Sequence, residues 1–448
     1  MVLLILRNST RVSRNILGCR HYRGLLTLAI ETSCDDTSVA VIEKNNGKAK
    51  IHFLENITAD CREHRGIHPI LALESHQENL ACLVDKALRY LPSPSNGEKS
   101  IDLADGTKCR RPDFISATRG PGMRSNLSVG LDTGKALSVA WQIPMVGVHH
   151  MQAHMLTPRL VSCLEERKSQ TSEGTASLQF PFLSILVSGG HSMLVHSKSM
   201  TDHKILASSE DIAIGETIDK SAREIIPADL LKESKTTMYG KALEQFVFPN
   251  GKEDFADYRP PMNRGEEVIK RQSRWGWSVT TPFANTRTLQ LSFSSVASMV
   301  NKIIKNKDGE MSREERVDLG REIMRVSFEH LASRTIIALD ALRLRHSDEK
   351  EIKTVVVSGG VAANKFLMAV LRSFLDVRGF EKMEIIAPPP YLCTDNAAMI
   401  GWAAIEMFES GYTTDLKCRA IRKWTLDSQA EDGGILGLDG WIKDGAAI

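Results

Sequence analysis

The sequence lacks an apolar run of membrane-spanning length, a C-x-x-C cysteine pair and a large net charge. A transmembrane helix needs about 20 mostly apolar residues, so neither a membrane span nor a membrane partner is predicted. The eight cysteines are scattered, which argues against a zinc ribbon or a disulfide framework and favours a reducing compartment. A net charge of +2 does not indicate a nucleic-acid partner, so any RNA contact must come from a local patch.

Acidic residues are absent before Glu31, whereas arginines recur among apolar residues and serines in the same stretch. An amphipathic start that is rich in arginine and free of acids is typical of a mitochondrial transit peptide. Residues 1–24 are therefore interpreted as a transit peptide, which predicts a protein of the mitochondrial matrix. A frayed basic terminus is the alternative interpretation.

One pattern recurs along the rest of the chain, whose length of 448 residues allows two packed lobes. A short apolar strand ends in a small polar turn within Leu25–Ile42, Phe182–Val195 and Thr354–Asn364. Strands that alternate with helices predict an α/β protein with mostly parallel sheets. Two such halves would place their turns around a common cleft. Helical patterns lie between the strands, at Leu71–Tyr90, Asn126–Trp141, Glu314–Leu344 and Thr394–Phe408.

Three stretches are interpreted as surface excursions, namely Pro92–Arg111, Glu165–Gln179 and Asn250–Arg287. Basic groups interleaved with aromatics, as in the last of them, suit an RNA backbone and its unstacked bases. A solvated insertion with a small local core explains the same composition equally well. The residues concerned are Arg259, Arg264, Lys270, Arg271, Arg274 and Arg287 with Tyr258, Trp275 and Trp277.

Two histidines are spaced for a metal site. If the segment after Val148 is helical, His150 and His154 lie on one face about one turn apart. Two neutral imidazoles in that arrangement can share a divalent metal. A metalloprotease would require a glutamate directly after the first histidine, and this position holds Met151. The hydrolytic interpretation therefore lacks its base.

A third ligand is expected from another element. Asp395 stands at a predicted helix start after three consecutive prolines. An aspartate there can also serve as the N-cap of the helix, so the residue pattern leaves both roles open.

Glycine-rich turns follow three predicted strands, at Thr118–Met123, Ser188–Gly190 and Ser358–Gly360. Exposed amides beside glycines can bind an anion, although each turn alone is also explained as a tight turn. Three of them favour a nucleotide held between lobes. The Gly-Lys pairs at 134–135 and 240–241 lack the upstream glycine of a P-loop. The segment Glu216–Lys220 places a carboxylate where it could accept hydrogen bonds from ribose hydroxyls. The alternative is that this segment forms a solvated helix face.

Short motifs from about Leu28 to about Trp424 occur in the order found in one enzyme family. This ordered set resembles the tRNA N6-adenosine threonylcarbamoyltransferase family, once classed as O-sialoglycoprotein endopeptidases, and the transit-like start points to its mitochondrial branch. The motifs are Ile30–Thr37 (IETSCDDT), Gly120–Gly122 (GPG), Val148–Met151 (VHHM) with His154, Leu186–His191 (LVSGGH), Gly215-Glu216 with Asp219-Lys220, Ser358–Val361 (SGGV) with Asn364, and Cys393–Asn396 (CTDN).

The resemblance implies a two-lobed actin-like ATPase (ASKHA) fold with a central nucleotide and metal cleft. We divide the chain accordingly into an N-terminal lobe of residues 25–148, completed by 396–426, and a C-terminal lobe of residues 149–395. The latter is expected to carry the metal and adenylate sites, and residues 427–448 form a C-terminal tail.

Site residues are also implied by the resemblance. One divalent metal ion per subunit, zinc or iron, is expected on His150, His154 and Asp395, which replaces the cap role of Asp395. Asp35 or Asp36 is the candidate catalytic proton acceptor. The residues expected to hold the adenylate are Leu186, Val187, Ser188, Gly189, Gly190, Asp219, Gly240 and Asn364.

The implied reaction transfers a threonylcarbamoyl group from L-threonylcarbamoyl-adenylate, made by a separate synthase, to N6 of adenosine 37 in mitochondrial tRNAs reading ANN codons. AMP is released, tRNA is the partner and a homodimer is expected. The sequence departs from the family at Leu291–Ala297, which lacks the usual glycine and lysine, and at Tyr239-Gly240, which has one glycine instead of two. A zinc endopeptidase and an ATPase scaffold or chaperone of the same fold are the alternatives.

Overall fold

The computed structural model describes residues 24–61, 66–164, 178–233, 239–345 and 350–443. The transit peptide expected before residue 25 lies outside these residues except for Gly24, and so does most of the Glu165–Gln179 excursion. Among the helices in the described ranges, none has both the length and the apolar character needed to cross a bilayer.

Strands and helices alternate in the described residues. The strands are β1 (Leu25–Glu31), β2 (Asp36–Asn45), β3 (Lys48–Thr58), β4 (Ser100–Asp102), β5 (Lys108–Arg110), β6 (Phe114–Gly120), β7 (Met145–His149), β8 (Phe182–Val187), β9 (Ser192–Ser197), β10 (His203–Ser208), β11 (Thr354–Ser358), β12 (Glu384–Ile386), β13 (Tyr412–Thr414) and β14 (Trp441–Lys443). The helices are α1 (Pro69–Leu88), α2 (Arg124–Trp141), α3 (His150–Cys163), α4 (Ile214–Ile225), α5 (Ala228–Glu233), α6 (Tyr239–Val247), α7 (Arg264–Glu267), α8 (Ser294–Lys305), α9 (Arg313–Arg345), α10 (Lys365–Val377), α11 (Pro390–Cys393) and α12 (Ala397–Glu409).

Two five-stranded sheets have the same internal order. The first is ordered β3-β2-β1-β6-β7 and the second β10-β9-β8-β11-β12. In each sheet the three strands that come first in the chain pair antiparallel, and the two later strands add in parallel. Every residue of β6 and β8 is buried, as expected for strands covered on both faces. The repeated sheet confirms the predicted two-lobed α/β architecture. The expectation of mostly parallel sheets is wrong, because the first three strands of each sheet are joined by short turns and therefore pair antiparallel.

One hydrophobic core joins the two sheets. It combines side chains of α3 and α12 with residues of the first sheet, such as Ala29 and Val146, and of the second sheet, such as Phe182 and Val356. A Cβ on Gly401 of α12 would lie 2.9 Å from Ile42 Cδ1, so glycine allows this helix to pack closely on β2.

Two connections carry the chain between the sheets. The first runs from β7 through α3 to β8, and the second runs from α11 to α12. His149 begins α3 by accepting a hydrogen bond from Gln152 N at 3.4 Å. Asn396 caps α12 by accepting from Met399 N at 3.0 Å. The cap role considered for Asp395 is therefore wrong, because the next residue fills it.

The C-terminal segment, expected as a tail of residues 427–448, packs against both sheets up to residue 443. β14 pairs antiparallel with β13, and Ile435 is fully buried in the shared core. Trp424 Nε1 donates to Gly434 O at 3.1 Å. Residues 427–443 are thus part of the packed structure.

Candidate metal centre and substrate cleft

The first turn of α3 brings two imidazoles to one carboxylate oxygen. His154 Nε2 lies 3.0 Å from Asp395 Oδ1, and His150 Nε2 lies 3.4 Å from the same atom. One ligand atom from each of the three residues lies within 4.8 Å of the others. Two imidazole nitrogens and a carboxylate oxygen form a borderline donor set that suits zinc or iron. These residues therefore form a possible metal site.

Glu31 orients the first histidine from behind. This buried carboxylate, at the end of β1, places Oε2 at 3.2 Å from His150 Nδ1 and accepts from Thr118 Oγ1 at 2.5 Å. Because an ionised carboxylate can only accept, the Nδ1 hydrogen faces Glu31 and Nε2 is the ring nitrogen that faces Asp395, where a metal would take the place of its proton. A histidine held in this way by a carboxylate is common behind metal ligands.

The charges of the site favour a cation. Burial lowers the pKa of His150, but Asp395 and Glu31 outweigh it and raise that pKa to about 10. Burial raises the pKa of Asp395, yet the two imidazoles hold it well below its usual value. The carboxylates thus stabilise positive charge between them, which a proton or a divalent ion can supply. The residues fit a bound metal.

Two glycine turns of the second lobe adjoin this centre. His191, directly after the Ser188–Gly190 turn, has its pKa lowered to about 4 by burial and by the neighbouring charges of His150 and His154. A Cβ on Gly360 would lie 3.9 Å from Thr394 Cγ2, beside Asp395. The glycine-rich ends of β8 and β11 therefore face the candidate ligands.

Within these turns, the glycines fall into two kinds. A Cβ on Gly189 or Gly190 would meet no atom within 4 Å, so the protein itself does not require glycine there. A Cβ on Gly359, whose φ is +98°, would lie 2.3 Å from Val187 O. Gly359 is needed for the packing of the two strands, whereas Gly189 and Gly190 leave open space beside the backbone.

The other predicted adenylate residues lie on α4, on α6 and directly before α10. Asp219, one turn into α4 from Gly215, accepts from Gly240 N at 2.6 Å. Burial raises the pKa of Asp219 to about 6. Asn364 caps α10 by accepting from Leu367 N at 3.0 Å, so its carbonyl oxygen is already engaged.

Leu186 and Val187 have side chains in the core, and they can reach a ligand only through the backbone. Glu216 forms an ion pair with Lys220 at 2.7 Å, which agrees with the helix-face interpretation of that segment. Several of the predicted adenylate residues thus already have structural roles.

Asp35 and Asp36 lie where β1 turns into β2. Burial raises the pKa of both carboxyl groups, and that of Asp36 reaches about 7 against a hydrogen bond from Thr58, with the negative charge of Asp395 contributing. A carboxyl group with a pKa near neutrality suits proton transfer. By its pKa, Asp36 is thus the better suited of the two candidates to accept a proton.

The Thr118–Met123 turn, considered above as an anion site, is occupied by protein contacts. Gly122 N donates to Arg422 O at 3.4 Å and Met123 N donates to Ser33 O at 3.1 Å. Ser33 Oγ lies 3.2 Å from His150 Nδ1. The turn therefore supports the metal centre rather than presenting free amides.

The aromatics of the Asn250–Arg287 excursion anchor it to α9. Trp275 Nε1 donates to Asp318 at 2.8 Å and Trp277 Nε1 donates to Glu315 at 3.2 Å, while Tyr258 Oη donates to Glu329 at 3.1 Å. Tyr258 and Trp277 also pack against the hydrophobic core of the second lobe. The local-core interpretation of this excursion is supported over the RNA interpretation.

The segment that departs from the family motif has a local anchor. Asp211 accepts from Ser292 Oγ at 2.7 Å and from the backbone N of Phe293 at 3.0 Å and Ser294 at 3.2 Å. These bonds fix the start of α8 without the missing glycine and lysine.

The repeated five-stranded sheet, with two histidines and a carboxylate gathered where the two sheets are connected, agrees with the expected actin-like fold and its possible metal centre. A profile of the tRNA N6-adenosine threonylcarbamoyltransferase family matches residues 51–402. The chain therefore belongs to the tRNA N6-adenosine threonylcarbamoyltransferase family, whose members are acyltransferases that modify tRNA.

Individual relatives agree along nearly the whole chain. A protein of Schizosaccharomyces pombe named tRNA N6-adenosine threonylcarbamoyltransferase, mitochondrial, is 35% identical over 94% of this chain and 90% of its own. A Rattus norvegicus protein of the same name is 30% identical over 86% and 81%. A Novosphingobium aromaticivorans protein named tRNA N6-adenosine threonylcarbamoyltransferase is 30% identical over 90% and 97%. The predicted transferase is confirmed, and the endopeptidase alternative is not favoured.

Proposed function

We propose that the protein transfers the threonylcarbamoyl group of L-threonylcarbamoyl-adenylate to N6 of adenosine 37 in mitochondrial tRNAs that read ANN codons. The observation that carries this proposal is the convergence of His150, His154 and Asp395 beside two glycine turns. A separate synthase supplies the adenylate. Family membership supports the tRNA substrate, and the mitochondrial names of two relatives support the compartment, as does the arginine-rich start.

In the proposed reaction the N6 amine attacks the carbamoyl carbon and forms a C–N bond. The bond from that carbon to the phosphate oxygen breaks, and AMP leaves with the electron pair. The amine proton passes to Asp36, whose pKa of about 7 allows it to accept a proton at neutral pH. The backbone beside Gly189 and Gly190 supports the charge that develops on the departing phosphate.

The three ligands are proposed to hold one divalent ion per subunit, zinc or iron. Such an ion supplies Lewis-acid polarisation of carbonyl or phosphate oxygens and orients the mixed anhydride. Glu31 keeps His150 in the tautomer that leaves Nε2 free for the ion, and Asp395 supplies the negative charge.

The lobes are proposed to comprise residues 25–148 with 396–426, and residues 149–395. A homodimer is proposed on the family resemblance alone.

The decisive assay combines the mature chain, threonylcarbamoyl-adenylate and unmodified tRNA. We expect threonylcarbamoyladenosine in the digested tRNA, measured by mass spectrometry, and none with a tRNA that has guanosine at position 37. Product on the guanosine tRNA would contradict the proposed acceptor. ATP hydrolysis without any modified nucleoside would favour the scaffold alternative.

The rate should depend on pH through Asp36. An essential base must be deprotonated, so kcat/KM should rise about tenfold per pH unit below pH 7 and level off above it. Asp36→Asn should remove that dependence and lower the rate about a hundredfold to ten-thousandfold. If Asp35→Asn abolishes the pH dependence and Asp36→Asn retains it, the proton acceptor is Asp35.

A further inference from the structure

A strongly basic cavity of about 780 Å³ lies on the first lobe between α2 and the segment of residues 415–424. Its lining carries three carboxylates, Asp132, Asp415 and Asp439, against twice as many cations. The whole chain has a net charge of only +2, so positive charge is concentrated here. The cations are Arg119, Arg124, Lys135, Lys417, Arg419 and Lys423.

Most of these cations have no counter-ion. Lys135 pairs with Asp132 at 3.1 Å, and within the described ranges it is the only one of the six in an ion pair. Asp415 is turned toward the backbone, where it accepts from Lys417 N at 2.8 Å. Lys417, Arg419 and Lys423 are exposed. The cavity therefore presents positive charge that the protein itself does not neutralise.

Arg119 lies beneath the floor of the cavity and is only 4% exposed. Its Nε donates to Arg419 O at 3.3 Å and its Nη2 donates to Asp439 O. Its Nη1 is buried and has no hydrogen-bond partner among the described residues. The guanidinium rests against the Trp424 ring, 5.5 Å from the centroid. Burial lowers the pKa of Arg119 although the charge of Asp439 opposes the shift, so burying this cation is costly and an anion bound above it offsets that cost.

The cavity is linked to the possible metal centre through the elements that border both. Its segment bonds to the glycine turn through Gly122 N and Arg422 O, and Met123 N next to Arg124 donates to Ser33 O. Ser33 in turn contacts His150. A polyanion bound in the cavity therefore lies against the segment that contacts the turn beside His150.

We propose that this cavity binds the phosphodiester backbone of the tRNA substrate while its adenosine occupies the cleft. The lining residues described include no aromatic ring, so the cavity offers charge to phosphates and no surface for stacking a base. The inference rests on the proposed function for the identity of the RNA.

The test neutralises three exposed cations in the full mature chain, with Lys417→Gln, Arg419→Gln and Lys423→Gln combined. The matched control removes three exposed cations of the other lobe, with Lys252→Gln, Lys302→Gln and Lys305→Gln. The dissociation constant for unmodified tRNA should rise about tenfold or more in the cavity variant and its salt dependence should weaken by roughly one unit of slope per cation. The KM for tRNA should rise while kcat at saturating tRNA is unchanged.

Several results would overturn the proposal. One is an unchanged tRNA affinity in the cavity variant, and another is an equal loss in the control. Calorimetry with inorganic phosphate separates the sources of the anion, since loss of phosphate binding with intact tRNA binding would assign the cavity to a free phosphate. If the wild-type chain binds tRNA through the cavity but forms no modified nucleoside, the proposed reaction fails and the binding site stands.

A measurement on the unaltered chain covers the case in which the cavity variant does not fold. Photocrosslinking to tRNA that contains 4-thiouridine should label the peptide of residues 415–424. Labelling confined to the second lobe would contradict the proposal.

Discussion

His150→Ala is expected to abolish transfer. The variant removes one of two imidazoles that face Asp395 Oδ1 and leaves a cavity where Glu31 and Ser33 lose their shared partner. Loss of several kcal/mol of transition-state stabilisation lowers the rate about a hundredfold to ten-thousandfold. Bound metal, measured by elemental mass spectrometry, should fall in parallel.

Two further variants calibrate this result. Met151→Leu changes the neighbouring buried side chain at nearly constant volume, and it should keep both metal and activity. Glu31→Gln preserves shape but removes the charge behind His150, and it should weaken metal binding about tenfold to a hundredfold. Full activity and full metal content in His150→Ala would remove the basis of the metal assignment.

Among Gly→Ala substitutions in the glycine turns of the second lobe, Gly359→Ala is expected to lower the free energy of unfolding most. The positive φ costs about 1–3 kcal/mol for a residue with a Cβ, and the contact of 2.3 Å with Val187 O adds about 1–3 kcal/mol of overpacking. The thermal unfolding midpoint should fall by about 5–15 °C, as measured by differential scanning calorimetry.

Gly189→Ala is the matched control, because its Cβ would meet no protein atom within 4 Å. Its unfolding free energy should stay within about 0.5 kcal/mol of the original, while the KM for the adenylate rises about tenfold, equivalent to about 1.4 kcal/mol. Equal midpoints for Gly189→Ala and Gly359→Ala would contradict the distinction between a packing glycine and a ligand-facing glycine.

Much of the fold could be predicted from periodicity. The buried runs at β1 and β8 and the long pattern that became α9 were visible because apolar spacing follows the local geometry. For the same reason, the four-residue interval between His150 and His154 predicts that both imidazoles lie on one face of a helix. Local patterns determine such features, so one sequence is enough to identify them.

The remaining features depend on contacts between distant residues. Whether Asp395 or Asn396 caps α12 depends on the position of α3, 241 residues away along the chain. The only sequence feature that indicates a role for Glu31 is its position as a carboxylate at the end of an apolar strand. The sequence does not predict the basic cavity, because Arg119 and Arg124 are remote in sequence from the 415–424 segment. The basic and aromatic residues of Asn250–Arg287 instead favour that segment as the RNA contact, although its aromatics bind α9.

The ligands stand on both of the connections that join the sheets. His150 and His154 begin the passage from β7 to β8, and Asp395 lies in the passage from α11 to α12. A rotation of one sheet against the other would change the distances between these side chains. An ion shared by them would oppose that rotation. Metal binding and the relative orientation of the two halves would then depend on each other.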